Sequence, residues 1–375
     1  MPTATSVGKR HAPHERPARG VGNAMIAVPE AHPATPTPGA RPAAAPPVSV
    51  VVPTYNRRAG LVRLLAALAR QSYPASKFEV IVVDDGSTDG TPALLDGHEP
   101  PFALVAVTQP NRGPAAARNR GVEHARGRLL VFLDDDVEPH PDLLAAHVAT
   151  HGDAPRRVVV GPMSPPRRWS RPAWVRWEER QLQKQYDAML AGEYPCTPRQ
   201  FYTGNASLGR DLFRASGGFD QQFKRAEDVE LAWRLADAGA EFVFEPSADV
   251  LHFASRSFDS WQRTPYQYGR YDVVMEREKG APTLGLAATE FHRRHGLNRR
   301  LARLCVGHPA RRRLVILSLT AAAVAAVALR LERAASLALS GIFNVLYWQG
   351  ASDELGGADA LWRAIAGPPS TETPA

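Results

Sequence analysis

A chain of 375 residues, 44% hydrophobic and 22% charged, holds enough material for one large folded domain or two smaller ones, which excludes a wholly unstructured protein. Its two cysteines, Cys196 and Cys305, lie far apart with no CxxC or histidine-rich partner, which excludes a disulfide framework and a zinc site. The net charge of +7 is peripheral: residues 1–47 carry +3 and residues 293–313 carry +8, leaving −4 elsewhere, so no nucleic-acid groove is expected and a site that collects cations is.

Residues 1–47 hold ten of the 33 prolines and little aliphatic material, too little to offset the entropy of ordering, and a disordered tail is expected there. No early apolar stretch reaches the length of a signal-peptide core, which points to a cytoplasmic protein. At Val48 the composition changes to VSVVV, a β-branched run between Pro47 and Pro53 that reads as a buried strand. Leu61, Leu64, Leu65 and Leu68 follow at helical spacing. Phe78 to Val83, Leu104 to Val107 and Arg128 to Leu133 read as further strands, with a helix over Ala115 to Ala125. Strand and helix alternate about every 25–30 residues, close to the length of a βαβ unit. The expected fold class is α/β: a Rossmann-like, mostly parallel central sheet flanked by helices, with the ligand outside the carboxyl ends of its strands.

Each polar cluster of the first half falls just after one of these apolar runs. Pro53-Thr54-Tyr55-Asn56 follows the first, Asp84-Asp85-Gly86-Ser87 the second, Gln109 to Gly113 the third and Asp134-Asp135-Asp136 the fourth, so four polar loops share one rim. Any one of them alone reads as ordinary turn or helix-cap chemistry. Three consecutive aspartates are different, because uncompensated carboxylates repel and raise each other's pKa. A hard cation such as Mg²⁺ or Mn²⁺ removes that conflict and in turn binds the oxygens of a diphosphate.

In order along the chain, PTYN, VVDDGSTD, NRGPAAARN, FLDDD, TGNASL, GGFD and EDVELAWR resemble the motifs of family 2 glycosyltransferases with the GT-A fold, from Val48 to about His252. The resemblance implies inverting transfer from a nucleoside-diphosphate sugar, a UDP-sugar first among them, to a carbohydrate or lipid-linked acceptor. It implies donor binding by Pro53, Thr54, Tyr55, Asn56, Asp84, Asp85, Asn111, Arg118, Asp134 and Asp135. Asp134 and Asp136 look like the acidic members of an Asp-x-Asp motif, and His252 like a further ligand to the metal or diphosphate. Glu227 and Asp228 open a segment of helical pattern where acidic residues also serve as plain first-turn charges. The resemblance implies that Asp228 is the general base, with Glu227 in support.

On the acceptor side, Gly204 and Asn205 resemble the family's acceptor motif, and Trp174 and Trp177 lie in an aromatic, arginine-rich insert that fits sugar stacking as well as core packing. Leu314 to Leu329 is 16 residues without a charge, preceded by Arg311-Arg312-Arg313, and Ala334 to Trp348 is a second apolar run. As a helix the first spans roughly 24 Å, short of the roughly 30 Å hydrocarbon core. The pair fits a helical hairpin covering the sheet or one resting on an anionic membrane surface at the inner face. The expected organisation is a tail over 1–47, a GT-A domain over 48–275, a basic linker or helix over 276–313, an apolar hairpin over 314–350 and a tail over 351–375. Two rivals are a nucleotidyltransferase, for which PTYNRR lacks the glycines of a triphosphate loop, and a nucleotide-sugar-binding protein that has lost its chemistry.

Overall fold

The computed structural model describes residues 47–366. The tail expected over 1–47 falls, up to residue 46, outside them, as do the last nine residues. Strands β1 (Val48–Thr54), β2 (Phe78–Asp84), β3 (Ala103–Thr108) and β4 (Leu129–Leu133) form where the apolar runs predict them. They are followed by β5 (Val137–Pro139), β6 (Arg157–Val160), β7 (Met163–Ser164), β8 (Asn205–Gly209), β9 (Glu241–Phe244) and β10 (Val250–His252). Seven of them make one sheet in the order β3-β2-β1-β4-β8-β6-β9, parallel except that β8 runs against both of its neighbours.

Successive side chains of the inner strands point to opposite faces, and helices cover both. Val51, Ile81 and Val83 pack with Ala117 and Val122 of helix Pro114–His124, whereas Val50, Val52, Val80 and Val82 pack with Leu61, Leu64 and Leu65 of helix Arg58–Leu68. Burial on both faces is why these strands read as unbroken apolar runs rather than as alternation. Because β1 to β4 are parallel, their carboxyl ends share one rim, with Thr54 level with Asp84 and Asp84 level with Thr108.

A second sheet, β5-β10-β7, stands beside that rim. The antiparallel register of β5 with β10 sets His252 opposite Val137, and the Phe253 amide donates to the Asp136 carbonyl over 2.9 Å. Two segments separated by more than a hundred residues are thereby locked side by side.

Helix Phe258–Lys279 runs through the domain end expected at residue 275 without a break, and helix Glu332–Glu354 packs along it. Their crossing is backbone against backbone. A Cβ on Gly269 would run into the Tyr347 carbonyl, and one on Gly350 into the Tyr266 carbonyl, so only glycine allows the approach. Gly269→Ala is expected to cost about 1–3 kcal/mol, as overpacking of a close-packed contact does. A fall in the midpoint of urea unfolding at constant slope checks this.

Residues 276–313 are helical at Thr283–Arg293 and Gly296–Cys305, and the tail expected from 351 instead continues helix Glu332–Glu354 and adds helix Ala358–Ile365. The apolar run becomes helix Pro309–Ala328. Among the described residues no helix is long and apolar enough to cross a membrane.

Candidate active site

A cleft of about 1320 Å³ opens along the shared rim. One side is built from the loops after β1 to β4, the other from helix Ala173–Leu190 and the helices that follow β10. The chain leaves β4 at Leu133 and enters the aspartates directly, and each of the three finds a different partner. The Arg118 guanidinium donates through Nη2 to Asp134 over 2.7 Å and through Nη1 to Glu227 over 2.9 Å. The Thr54 hydroxyl donates to Asp135 over 2.7 Å. Asp136 takes the Arg57 guanidinium on one oxygen at 3.0 Å and faces His252 Nε2 with the other at 3.5 Å.

These contacts reduce the repulsion inside the cluster without removing it. Burial pushes the Asp135 carboxyl up to about 7, aided by Asp136 and Asp134 and opposed by the Thr54 hydrogen bond and by Arg57. Arg118 is itself buried, 5% exposed, and also lies against the Phe219 ring. It is a strut between carboxylates brought from β4 and from helix Glu227–Asp237.

That helix starts at Ala226, which adopts a left-handed φ of 58°, a conformation that costs a residue with a Cβ about 1 kcal/mol or more. The turn presents Glu227 and Asp228 to the cleft. Burial, followed by the Glu227 charge, raises the Asp228 carboxyl to about 7, while Arg118 pulls it down. Two carboxyls side by side with one cation between them and Asp134 give a group that changes protonation near neutral pH, which is what a general base requires.

Most of the predicted residues line this cleft: Pro53, Thr54, Tyr55, Asp85, Asn111, Arg118 and the three aspartates on the nucleotide side, then His252, Gly204, Trp177, Glu227 and Asp228. Asp85 does so while shaping its own loop, accepting the Arg112 and Gly113 amides at 2.9 and 2.8 Å.

Four residues lie elsewhere. Asn205, expected to touch the acceptor, is fully buried: its amide donates to the Pro162 and Ala248 carbonyls and its oxygen meets His147. It clamps β8 to the neighbouring loops. Trp174 donates its ring N–H to the Arg256 carbonyl over 3.0 Å and packs on Phe258, away from the cleft. Asp84 is fully buried and accepts the Ser87 amide, and the Asn56 side chain accepts the Thr88 amide. Both hold the loop rather than line the cleft. Trp177 does face the cleft but also packs edge-on against Trp261 within an aromatic core.

Sequence reasoning missed Tyr202, Tyr268, Arg199, Glu178 and Arg294, all of which line the far wall. They come from segments with no motif, joined only by tertiary packing.

Among the described residues no three or more His, Cys, Asp or Glu side chains converge as a ready metal cage. Asp136 and His252 form a two-donor set of carboxylate oxygen and imidazole nitrogen, which fits a divalent ion that takes its remaining ligands from a diphosphate and water. Asp134 is committed to Arg118 and stands apart from that pair.

Residues 49–213 match the family model described as Glycosyl transferase family 2. This part of the chain is a family 2 glycosyltransferase domain. The validoxylamine A glucosyltransferase of Streptomyces hygroscopicus subsp. limoneus is 35% identical over 237 residues, covering 55% of this chain and 52% of its own. The succinoglycan biosynthesis protein ExoO of Rhizobium meliloti is 38% identical over 227 residues, covering 55% and 60%. The chain thus spans about half the length of the first curated relatives it matches. Among solved structures, the mannosyltransferase PcManGT from Pyrobaculum calidifontis superposes with a TM-score of 0.54 at 22% identity, over 81% of this chain and 87% of that one, a likeness of fold. The match ends in the short helix after β8, so Glu227, Asp228, Tyr268 and Arg294 lie beyond the matched segment, whereas Glu178, Arg199 and Tyr202 lie within it.

Proposed function

We propose that the protein is an inverting glycosyltransferase that moves a sugar from a nucleoside-diphosphate sugar, a UDP-sugar first, to an acceptor hydroxyl. The observation that carries this reading is the meeting of the aspartate cluster and Asp228 in one cleft, joined through Arg118. Asp228 takes the proton of the acceptor hydroxyl as its oxygen attacks the anomeric carbon. The bond from that carbon to the diphosphate oxygen breaks on the opposite face, and configuration inverts. Tyr55, Asp85 and Asn111 line the side where the nucleoside would lie, and Arg118 keeps Glu227 and Asp134 from repelling the donor. Mg²⁺ or Mn²⁺ held by Asp136 and His252 would neutralise charge on the departing diphosphate. The relatives' names support a sugar donor, and the Pyrobaculum calidifontis mannosyltransferase's complex with GDP-Man and Mn²⁺ supports this choice of donor class and cation.

The test is binding and slow hydrolysis across a panel of nucleotide sugars with Mg²⁺, Mn²⁺ or a chelator. One donor is expected to bind with metal, and Asp136→Ala to weaken that binding by about a hundredfold or more, since removing even a residue that only supports a metal ligand costs about tenfold to a hundredfold. Failure of every nucleotide sugar to bind would sink the proposal.

The C-terminal helices support work at an anionic membrane surface. Leu314, Leu317, Ala321 and Val324 recur at three- and four-residue spacing on the outer face of helix Pro309–Ala328, and Leu314 and Val324 are each 66% exposed. Arg311, Arg312 and Arg313 precede them, and Arg330 and Arg333 follow. An apolar stripe between basic ends fits an interfacial helix lying in the headgroup layer. The chain is expected to sediment with phosphatidylglycerol vesicles and far less with phosphatidylcholine vesicles. Replacing Leu314, Leu317 and Val324 by Ser should abolish it. No sedimentation, or a salt-independent dimer burying this face instead, would overturn the assignment.

A further inference from the structure

The far wall of the cleft carries charge that the proposed transfer does not use. Arg294 follows helix Thr283–Arg293 and faces the cleft beside Arg199, Asn344 and Tyr347. Among the described residues no carboxylate forms an ion pair with it within 4 Å, although the Glu290 charge reaches it through space. Glu290 turns to Arg293 at 3.8 Å, and Asp272 accepts the Tyr347 hydroxyl and sits 3.8 Å from Arg199. Burial lowers the pKa of Arg294 below the ordinary arginine value; the Glu290 and Tyr347 charges oppose that shift and the Arg199 charge adds to it. Arg199 is held in place by the Thr283 carbonyl at 3.2 Å. Arg199 has Asp272 as its partner while Arg294 has no ion pair of its own, so an incoming anion would supply one.

The recess connects with the reacting centre. Tyr202, whose hydroxyl donates to Gln185, lies within electrostatic reach of both Asp228 and Arg199. Tyr268 is likewise within reach of Asp228 and lines the same wall. A ligand presenting its hydroxyl to Asp228 thus lies along a phenolic wall that ends at two guanidinium groups. Planar guanidinium groups take carboxylate or phosphate oxygens in pairs, which a neutral sugar cannot offer.

We infer that Arg294, backed by Arg199, binds an oxyanion on the acceptor, so that the acceptor is a carboxylate- or phosphate-bearing sugar. The word acceptor rests on the transfer reaction proposed above, whereas the anion site stands on its own geometry.

Binding of methyl glucuronide, glucose 6-phosphate and methyl glucoside to the full chain is measured by calorimetry, beside Arg294→Gln and Arg294→Lys. At least one charged sugar is expected to bind about tenfold or more tightly than the glucoside. Gln should erase the preference and Lys retain part of it, with thermal midpoints confirming that both variants are folded. A winning glucuronide identifies carboxylate as the preferred group, and a winning phosphate ester identifies phosphate. Absence of any preference in the unaltered chain, including absence of binding, overturns the inference, as does a preference that survives in Arg294→Gln. Nucleotide-sugar binding by the unaltered chain separates the two readings: if it fails while the anion preference holds, the transfer reaction falls and the anion site remains.

Discussion

Asp228→Asn is expected to lower turnover roughly a hundredfold to ten-thousandfold, the range that general-base catalysis supplies. Donor binding should survive, because the aspartates, Thr54 and Asn111 on the nucleotide side are untouched. The substitution is nearly isosteric, and it removes the capacity to take a proton. The pH profile is the sharper check. A base works only when deprotonated, and burial with Glu227 alongside raises this carboxyl to about 7. Activity at limiting substrate should therefore fall with one proton as pH drops below about 7, and the residual activity of Asp228→Asn should be flat across that range. A profile in the unaltered enzyme that stays level down to the ordinary carboxylate region would exclude Asp228 as the base.

Arg118→Met is expected to destabilise the fold by about 3–5 kcal/mol, since it strips the cation from a buried network and strands its carboxylates. Arg118 is 5% exposed, so water cannot make good the loss. The sign with pH follows from the charges. Without the arginine, Asp228, already raised by burial, resists ionisation in the folded state still more. The deficit is then largest where Asp228 is ionised when unfolded, and shrinks as pH falls and the folded state takes up a proton. Urea unfolding at pH 8 and pH 5 should show the larger loss at pH 8. In whatever enzyme remains folded, the acid limb of activity should move above that of the unaltered chain, because Arg118 is one of the groups holding Asp228 down. Equal losses at both pH values would mean that Arg118 acts through packing alone.

The nucleotide half of the site was legible because one local rule governs it. Pro53 to Asn56, Asp84 to Ser87, Gln109 to Gly113 and Asp134 to Asp136 each follow an apolar strand, and parallel strands bring their ends to one rim. Asn205 shows where that legibility stops. A polar residue at the start of a strand looks the same in sequence whether it faces a sugar or clamps two carbonyls inside the core, and only burial separates the two. Trp174 and Trp177 carry the same ambiguity, and packing on Phe258 and Trp261 accounts for much of their placement. Arg199, Tyr202, Tyr268 and Arg294 escaped notice for another reason. They meet only after the C-terminal helices fold back over the cleft, and no periodicity in the sequence encodes that meeting. In helix Pro309–Ala328 the small residues Ala323 and Ala326 face inwards while Leu314 and Val324 face out, the reverse of an ordinary surface helix, so hydropathy alone could not say which side was covered.

Backbone touching backbone at Gly269 and Gly350 separates the scaffold of the far wall from its chemistry. Tyr268 and Tyr347, on the same two helices, line the cleft, while the closest approach of those helices is made by backbone alone. Mutation can therefore redraw the wall at Tyr268 or Arg294 without disturbing that approach. Over evolutionary time such a joint would let a lineage exchange one acceptor for another while the machinery that handles the donor stays as it is.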